Sequence, residues 1–185
     1  MSRKCVFFIG GAGSGKSHLA QEIARQEAGP VLFVATATPG DEEMRRRIET
    51  HRRKRPVEWQ TLEITAGVGK HILREHGGAG AVIVDCITLL VSNILTRHCT
   101  PEGEPLNVPL IETEVATEIG ELLDCVRQLE ATFFIVSNEV GLGLVPDNPM
   151  GRLYRDLLAR ANRRLAAVAD EVYLMVAGIP LRVKS

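Results

Sequence analysis

Short, continuously apolar runs recur along this 185-residue chain and alternate with longer segments of helical pattern. The clearest runs are "KCVFFIG", "VLFVATAT", "GAVIVDC" and "ATFFIVS". Strands without polar alternation are typical of a parallel sheet whose two faces are both covered. Because such strands alternate here with helices, we predict an α/β fold with a mostly parallel sheet and helices on both faces.

The other segments complete this pattern. Helices are predicted over "KSHLAQEIARQEAG", "TPGDEEMRRRIETHRRKRP" (with Pro39 in its first turn), "ITLLVSNILTRH", "LIETEVATEIGELLDCVRQLE" and "RLYRDLLARANRRLAAVAD". "VEWQTLEI" is predicted as a strand, and "EVYLMVAGIPLRV" as one or two short strands. "CTPEGEPLNVP" is polar and rich in proline, which is typical of an exposed loop. Since no repeat or linker divides the sequence, we predict a single domain over residues 1–185.

Composition and charge argue against several classes of protein. Apolar residues make up 45% and charged residues 24% of the chain, an ordinary globular balance. A formal net charge of -1 provides no protein-wide basic field, so we expect no nucleic-acid partner. The apolar run Cys5–Ile9 is too short for a signal peptide, and no segment approaches the length of a membrane span. We therefore expect a cytoplasmic location.

The four cysteines are Cys5, Cys86, Cys99 and Cys125, and they form no Cys-x-x-Cys pair and no metal-ligand spacing. Cys5, Cys86 and Cys125 lie in apolar or helical runs. This placement predicts buried free thiols in a reducing compartment.

Residues 10–17, "GGAGSGKS", fit the pattern GxxxxGKS between a predicted strand and a predicted helix. The glycines let backbone N–H groups approach phosphate oxygens, and the helix N-terminus adds the positive end of its dipole. Lys16 is expected to face a solvent-filled loop and to reach the β- and γ-phosphates, and the Ser17 hydroxyl to bind Mg²⁺. The predicted phosphate-binding loop consists of Gly10, Gly11, Ala12, Gly13, Ser14, Gly15, Lys16 and Ser17.

An acidic residue that holds the magnesium ion through water is expected elsewhere in such a site. Asp85 ends the apolar run "AVIVD" and has the form of a Walker B aspartate, although a simple helix cap is an alternative role. The sequence has no NKxD motif, and Asp85 is followed by "CIT" rather than by the DxxG pattern of switch GTPases. A small-molecule phosphotransferase, a nucleotidyltransferase and an ATP-driven binding module remain.

The basic segment "DEEMRRRIETHRRKRP" contains one histidine. Helical spacing places Met44, Ile48, His51 and Arg55 close to one face. An imidazole among arginines is suited to meet a polyanion, and its nitrogen can attack phosphorus to form a phosphoramidate. The residues alone leave two other interpretations open, a solvated basic helix face and a nucleic-acid patch.

The segments "GGAGSGKS", "ATATPGDEEMRRRIETHRRKRPVEW", "DCITLLVSNIL" and "SNEVGLGLVPDNPMGRLYRDLLARANRRLAAVADEVYLMVAGIPL" together carry a resemblance. In this order they resemble the bifunctional adenosylcobinamide kinase / adenosylcobinamide-phosphate guanylyltransferase family of cobalamin biosynthesis, over nearly the whole chain. Many families share the glycine motif. The block around His51 and the "NEVGLGLVP" block are much more specific.

The resemblance implies a RecA-like P-loop NTPase fold, a homotrimer and two reactions at one site. ATP or GTP phosphorylates adenosylcobinamide, and GMP then passes from GTP to adenosylcobinamide phosphate through a guanylyl-histidine, giving adenosylcobinamide-GDP. The matching intermediate is His51, with Thr50 where some relatives have a second histidine. Besides the glycine loop, the implied nucleotide contacts are Ala35, Thr36, Ala37, Arg52, Arg53, Lys54, Arg55, Glu63 and Asp85.

Two assignments and two alternative functions stay open. Glu139, in "SNEVGLG", either positions substrate or metal or makes local hydrogen bonds, and Arg163 or Arg164 either reaches phosphate or is a solvated helix charge. One alternative function is a simple P-loop kinase in which His51 is only structural. The other is a nucleotide-dependent module whose basic helix binds nucleic acid, for which a steep salt dependence is expected.

Overall fold

The computed structural model describes residues 4–38, 40, 42–53, 55–100 and 104–185, with residues 43 and 47 described in their backbone only. The strands are β1 Lys4–Gly10, β2 Val31–Ala35, β3 Gln60–Glu63, β4 Ala81–Asp85, β5 Thr132–Val136, β6 Glu171–Val176 and β7 Ile179–Lys184. The helices are α1 Lys16–Ala24, α2 Glu42–Arg53, α3 Val68–Glu75, α4 Ile87–Arg97, α5 Val108–Gln128 and α6 Pro149–Val168.

All seven strands form one sheet in the order β3-β2-β4-β5-β1-β6-β7. Every neighbouring pair is parallel except the β6–β7 hairpin. Strand β5 lies between β4 and β1, and its Phe134 is level with Ile83 on one side and with Val6 on the other. The predicted α/β fold with a mostly parallel sheet is confirmed.

Two apolar layers cover the two faces of the sheet, because successive strand residues point to opposite sides. On one face Phe7 and Phe133 belong to a large cluster that includes buried residues of α3, α4, α5 and α6. On the other face Phe8 and Phe134 belong to a smaller cluster with α1 and Trp59. Helices on both faces therefore explain why the central strands are apolar without alternation.

Helix α3 was not predicted, and contacts from a distant segment explain its presence. The buried Glu118 carboxylate of α5 accepts hydrogen bonds from the Gly67 and Val68 N–H groups, both at 2.8 Å, and so caps the start of α3. A Cβ at Gly69 would collide with the backbone carbonyl of Glu121, so the two helices approach closely there. Local sequence contains neither interaction, since both depend on residues about fifty positions away.

The other predicted elements are found, with adjusted ends. The basic helix α2 begins at Glu42, whereas Pro39, predicted in its first turn, lies outside the described residues. The C-terminal segment forms two strands joined at Ala177 and Gly178, whose φ values of 49° and 86° are both left-handed. Asn107 and Asn148 cap α5 and α6 through their side-chain oxygens.

Candidate active site

A cavity of about 580 Å³ opens at the carboxyl edge of the sheet. Parallel strands end at the same edge, which is where ligands of open α/β sheets bind. The glycine loop, the ends of β2, β4 and β5, and helix α2 surround it. The lining residues are Gly13, Ser14, Gly15, Lys16, Ser17, His18, Ala35, Ala37, Met44, Arg45, Ile48, Glu49, His51, Arg52, Arg55, Glu63, Asp85, Cys86, Thr88, Leu89, Val136 and Asn138.

The structure brings most of the predicted site residues together around this cavity. The predicted residues that line it are Gly13, Ser14, Gly15, Lys16, Ser17, Ala35, Ala37, His51, Arg52, Arg55, Glu63 and Asp85. The predicted residues that do not line it are Gly10, Gly11, Ala12, Thr36 and Arg53, and Lys54 lies outside the described residues. The exposed Arg53 pairs with Glu49 of its own helix at 3.7 Å.

The glycine loop is seated against the β6–β7 hairpin, which explains two of its glycines. Gly10 has φ 152°, and a Cβ there would lie 2.5 Å from the carbonyl oxygen of Met175. Gly15 has φ 94°, and its Cβ would lie 3.3 Å from the Cα atom of Gly178. The Gly178 N–H donates to the carbonyl of Ser14 at 3.0 Å. The hairpin therefore fixes the backbone course of the loop.

Lys16 is buried, with 6% of its surface exposed, so the expectation that its side chain faces a solvent-filled loop was wrong. Its ammonium group donates to the carbonyls of Gly10 at 3.0 Å and Gly11 at 2.6 Å, and to the Ser14 hydroxyl at 3.2 Å. The loop folds around the charge because its backbone oxygens satisfy it. The cation is thus held inside the loop that is predicted to surround phosphate.

Asp85 ends β4 next to Ser17, whose hydroxyl donates a hydrogen bond to the Asp85 carboxylate. Burial raises the pKa of Asp85, and this hydrogen bond is the largest influence that lowers it again. The charges of His51, Arg55 and Lys16 also lower the pKa of Asp85. A carboxylate surrounded by cations at the edge of the sheet is suited to a metal-bound polyanion.

Helix α2 presents its apolar face and its histidine to the cavity. Met44, Ile48 and His51 are half-buried and line it, as the helical spacing predicted. Next to His51, the Arg52 guanidinium pairs with Glu63 of β3 at 2.5 Å. His51 therefore lines the cavity together with apolar side chains of its own helix, and the next residue in the chain links α2 to the sheet through an ion pair.

Arg55 follows α2 and lies 3.9 Å above the centre of the Phe33 ring. Burial lowers its pKa, and the charges of Asp85 and Glu63 oppose that shift. Its Nε and Nη1 atoms are buried and have no hydrogen-bond partner among the described residues. Unsatisfied donors on an arginine that lines the cavity are suited to an anionic ligand.

Thr36 is fully buried and holds the backbone that follows Asp85. Its hydroxyl donates to the Cys86 carbonyl at 2.7 Å and accepts from the Cys86 N–H at 2.9 Å. The Thr36 carbonyl in turn accepts from the Asn93 amide of α4 at 2.8 Å. This side chain, which the resemblance assigns to nucleotide contact, is engaged in joining the ends of β2 and β4.

Among the lining residues that sequence reasoning missed are two polar neighbours, Thr88 and Asn138. The Thr88 hydroxyl accepts from the Asn138 N–H at 2.7 Å, just beyond β5. In the segment "SNEVGLG", the negative charge of Glu139 makes it the candidate that the sequence favours. The Glu139 carboxylate accepts from the Gly141 N–H at 2.6 Å and does not line the cavity. Position next to the strand end was the better signal.

Two arginines of α6 lie away from this cavity. Arg163 is exposed, and Arg164 donates to the Ala116 carbonyl of α5 at 2.6 Å. Neither lines the cavity. Their environment is that of helix charges in solvent and at a helix–helix contact.

The four cysteines have no disulfide partner. Cys5 and Cys125 are buried, and burial raises the pKa of each thiol to about 12. Cys86 is half-buried, lines the cavity and packs against the smaller core cluster, and burial raises its pKa to about 11. The prediction of free thiols is confirmed, although Cys86 is not fully buried.

Comparison with known proteins identifies close relatives across the chain. A family model described as "Cobinamide kinase / cobinamide phosphate guanyltransferase" matches residues 6–183. The "Bifunctional adenosylcobalamin biosynthesis protein CobU" of Salmonella typhimurium is 36% identical over 180 residues, covering 97% of this chain and 99% of that protein. The "Bifunctional adenosylcobalamin biosynthesis protein CobP" of Pseudomonas aeruginosa is 36% identical over 176 residues, covering 95% of each.

Solved structures with low sequence identity share the fold. A protein of Pyrococcus horikoshii OT3 matches with TM-score 0.56 and 11% identity, over 100% of this chain and 87% of its own. An ATPase of the type III secretion system of pathogenic bacteria matches with TM-score 0.52 and 10% identity, over 95% and 52%. Within the described residues, no helix combines the length and the apolar composition that crossing a bilayer requires.

Proposed function

The chain belongs to the cobinamide kinase / cobinamide phosphate guanyltransferase family, and we propose that it catalyses both reactions as one catalytic unit over its whole length. ATP or GTP phosphorylates adenosylcobinamide, and GTP then supplies GMP to adenosylcobinamide phosphate, giving adenosylcobinamide-GDP. The family and the two activities that the sequence predicts match the description of the family model and the names of these relatives.

One observation carries the proposal: a single cavity holds both kinds of chemistry. Lys16, Ser17 and Asp85 line it from the sheet side, and His51 lines it from α2. The first group is suited to γ-phosphoryl transfer, which depends on positioning and charge. The second provides a nucleophile for attack on a phosphorus atom. A simple kinase needs only the first group.

For the guanylyl transfer, we infer that an imidazole nitrogen of His51 bonds to the α-phosphorus of GTP. The bond from that phosphorus to the α,β-bridging oxygen breaks, and its electron pair leaves with pyrophosphate. An oxygen of adenosylcobinamide phosphate then attacks the same phosphorus, and the nitrogen–phosphorus electron pair returns to the imidazole. Arg52 and Arg55, which line the same cavity, would stabilise the negative charge on the triphosphate and the pyrophosphate.

Magnesium fits the oxygen donors that Ser17 and Asp85 provide, because Mg²⁺ prefers oxygen ligands and keeps several waters. We propose that the Ser17 hydroxyl binds it directly and Asp85 through water. The ion would neutralise charge on the phosphates. In the described part of the chain, no cluster of three or more His, Cys, Asp or Glu side chains forms a metal site. The protein would therefore share its magnesium ligands with the nucleotide.

A homotrimer in the cytoplasm is also proposed. Strand β7 is an edge of the sheet, and its Ile179, Leu181 and Val183 side chains are exposed, as are Leu142 and Leu144 in the loop after β5. Exposed apolar groups on an edge strand favour burial against another copy. Sedimentation equilibrium should give a single species with three times the mass of one chain. One chain mass at working concentration would refute the trimer.

The test of the catalytic proposal is labelling with α-labelled GTP and Mg²⁺, with and without adenosylcobinamide, followed by denaturing electrophoresis. We expect an acid-labile, alkali-stable label on the protein that adenosylcobinamide and ATP discharge. Phosphorylation of adenosylcobinamide without any protein label would leave the simple kinase. Neither reaction, with a strongly salt-dependent affinity for nucleic acid, would favour the binding module.

A further inference from the structure

Asn138 occupies the centre of the phosphate-binding edge. It lies two residues beyond β5, the strand that separates the glycine-loop strand β1 from the Asp85 strand β4. Residues just past the carboxyl end of β5 therefore face the space between Lys16 and Asp85. Asn138 lines the cavity together with both of them.

Hydrogen bonds on both sides hold the Asn138 backbone in place. Its N–H donates to the Thr88 hydroxyl at 2.7 Å, and its carbonyl accepts from the buried Asn162 amide at 3.0 Å. The flanking N–H groups of Ser137 and Glu139 donate to the Phe8 and Gly10 carbonyls at 2.9 and 3.0 Å. Such a fixed backbone gives the side chain a defined origin beside the glycine loop.

The Asn138 amide has unused hydrogen-bonding capacity. The side chain is half-buried, and none of its amide atoms bonds to another residue in the part of the chain that is described. An asparagine amide carries two donor hydrogens and one acceptor oxygen. The neighbouring Thr88 hydroxyl already accepts from the Asn138 N–H, and the Ser17 hydroxyl already donates to Asp85.

Resting on the proposed kinase activity, we propose that the Asn138 side-chain NH₂ donates a hydrogen bond to an oxygen of the γ-phosphoryl group during its transfer. The acceptor hydroxyl oxygen bonds to the γ-phosphorus, and the bond to the β,γ-bridging oxygen breaks. Its electron pair leaves with the nucleoside diphosphate, and the hydroxyl proton goes to solvent. The amide stabilises negative charge on the equatorial oxygens of the γ-phosphoryl group. Because it is neutral, it neither repels the nucleotide nor binds the phosphorylated product tightly.

This contact distinguishes the two reactions. In guanylyl transfer the bond that breaks is at the α-phosphorus, and the γ-phosphate leaves unchanged within pyrophosphate. A donor to the γ-phosphoryl group is therefore needed more in the phosphorylation step than in the attack by His51. Asn138 is thus assigned as a catalytic residue of the kinase step.

The experiment compares Asn138→Ala and Asn138→Asp with Glu139→Gln as the matched control in the same loop. Single-turnover phosphorylation of adenosylcobinamide by ATP and formation of the GMP adduct are both measured. Asn138→Ala should lower the phosphorylation rate by about 10²–10³-fold, as loss of one charge-stabilising donor does. Asn138→Asp should lower it further because its carboxylate repels the phosphoryl group. The rate of GMP-adduct formation should fall much less than the phosphorylation rate. Glu139→Gln should behave as the wild type in both measurements.

A phosphorylation rate within threefold of the wild type in Asn138→Ala would overturn the assignment. Equal losses of phosphorylation and adduct formation would also overturn it, because they indicate a displaced loop. A fall in the phosphorylation rate of Glu139→Gln as large as that of Asn138→Ala would overturn it as well. The adduct serves as a folding check that is separate from the kinase step. A wild-type protein without phosphorylation activity would instead refute the proposed function, and this assignment with it.

Discussion

The glycine loop and helix α2 direct residues to the same cavity but are held in different ways. The loop is fixed by backbone contacts: Gly10 lies against the carbonyl of Met175, and Ser14 accepts from Gly178. None of the described side chains of α2 is fully buried. Its Arg52–Glu63 ion pair to the sheet joins side chains that are 62% and 48% exposed.

The cavity is therefore built from a rigid half, the glycine loop, and a weakly anchored half, helix α2. An exposed ion pair contributes about 0–1 kcal/mol to stability, whereas a steric collision in a close-packed loop costs more. Changes in the loop should therefore affect folding and both reactions together. Changes on α2 should affect chemistry and leave the free energy of unfolding nearly unchanged.

The largest effect is expected for Lys16→Ala, which removes a cation from the rigid half. Both activities should fall by roughly 10³-fold or more, because phosphoryl transfer depends on such charges. Since the ammonium group also joins loop carbonyls, the free energy of unfolding should fall by about 1 kcal/mol. Steady-state assays and chemical denaturation measure the two effects. Near-normal turnover of both steps would contradict the assignment of the loop.

His51→Ala or His51→Asn should abolish the GMP adduct and guanylyl transfer, because each removes the imidazole nitrogen that is proposed to attack the α-phosphorus. Phosphorylation should fall by a smaller factor, since it needs no covalent intermediate. Intact-protein mass after GTP and Mg²⁺, with peptide mapping at alkaline pH, measures this. His71→Asn in α3 is the control. An adduct on another histidine, or one that persists in His51→Ala, would refute the assignment.

Gly10→Ala tests the rigidity of the loop. The added Cβ would lie 2.5 Å from the Met175 carbonyl oxygen, in a backbone conformation that favours glycine. We expect a loss of about 2–4 kcal/mol in the free energy of unfolding. A Cβ at Gly11 meets no atom within 4 Å, so Gly11→Ala should change stability by less than about 0.5 kcal/mol. Equal stability of the two variants in urea would show that the hairpin does not fix the loop.

Ser17→Ala and Asp85→Asn test the proposed magnesium site. Each should raise the Mg²⁺ concentration that gives half-maximal activity, by about 10–100-fold for Asp85→Asn, because outer ligand partners tune affinity to this extent. Magnesium titrations at saturating nucleotide measure the shift, and saturating Mg²⁺ should partly restore the activity of Ser17→Ala. Unchanged titration curves in both variants would count against the pair.

The smallest effects should separate two neighbouring arginines of α2. Arg52 lines the cavity, whereas Arg53 is exposed and pairs with Glu49. Arg52→Ala should lower the rate of adduct formation by about tenfold, because it removes one exposed charge-assisted contact to the triphosphate. Arg53→Ala should change this rate less. Both should alter stability by less than about 1 kcal/mol. A larger rate effect at Arg53 would show that α2 binds the nucleotide in another orientation.

Much of this molecule follows from local sequence. Continuous apolar runs require a sheet that is covered on both faces, and the glycine motif requires a loop between a strand and a helix. The spacing of Met44, Ile48 and His51 places them on one face of a helix, and the structure has all three at the cavity. These features depend on residues within a few positions of one another, so a sequence pattern contains them.

Tertiary structure decided the features that join distant segments. The capping of α3 by Glu118, the hairpin that supports the glycine loop and the burial of Lys16 depend on packing that no local pattern records. Strand order placed β5 between β1 and β4 and so brought Asn138 between Lys16 and Asp85. Local sequence determined most of the helices and strands, α3 excepted, and which residues carry charge. Only the pairing of strands far apart in the chain decided which of those residues meet, because that pairing is selected by the burial of the whole sheet.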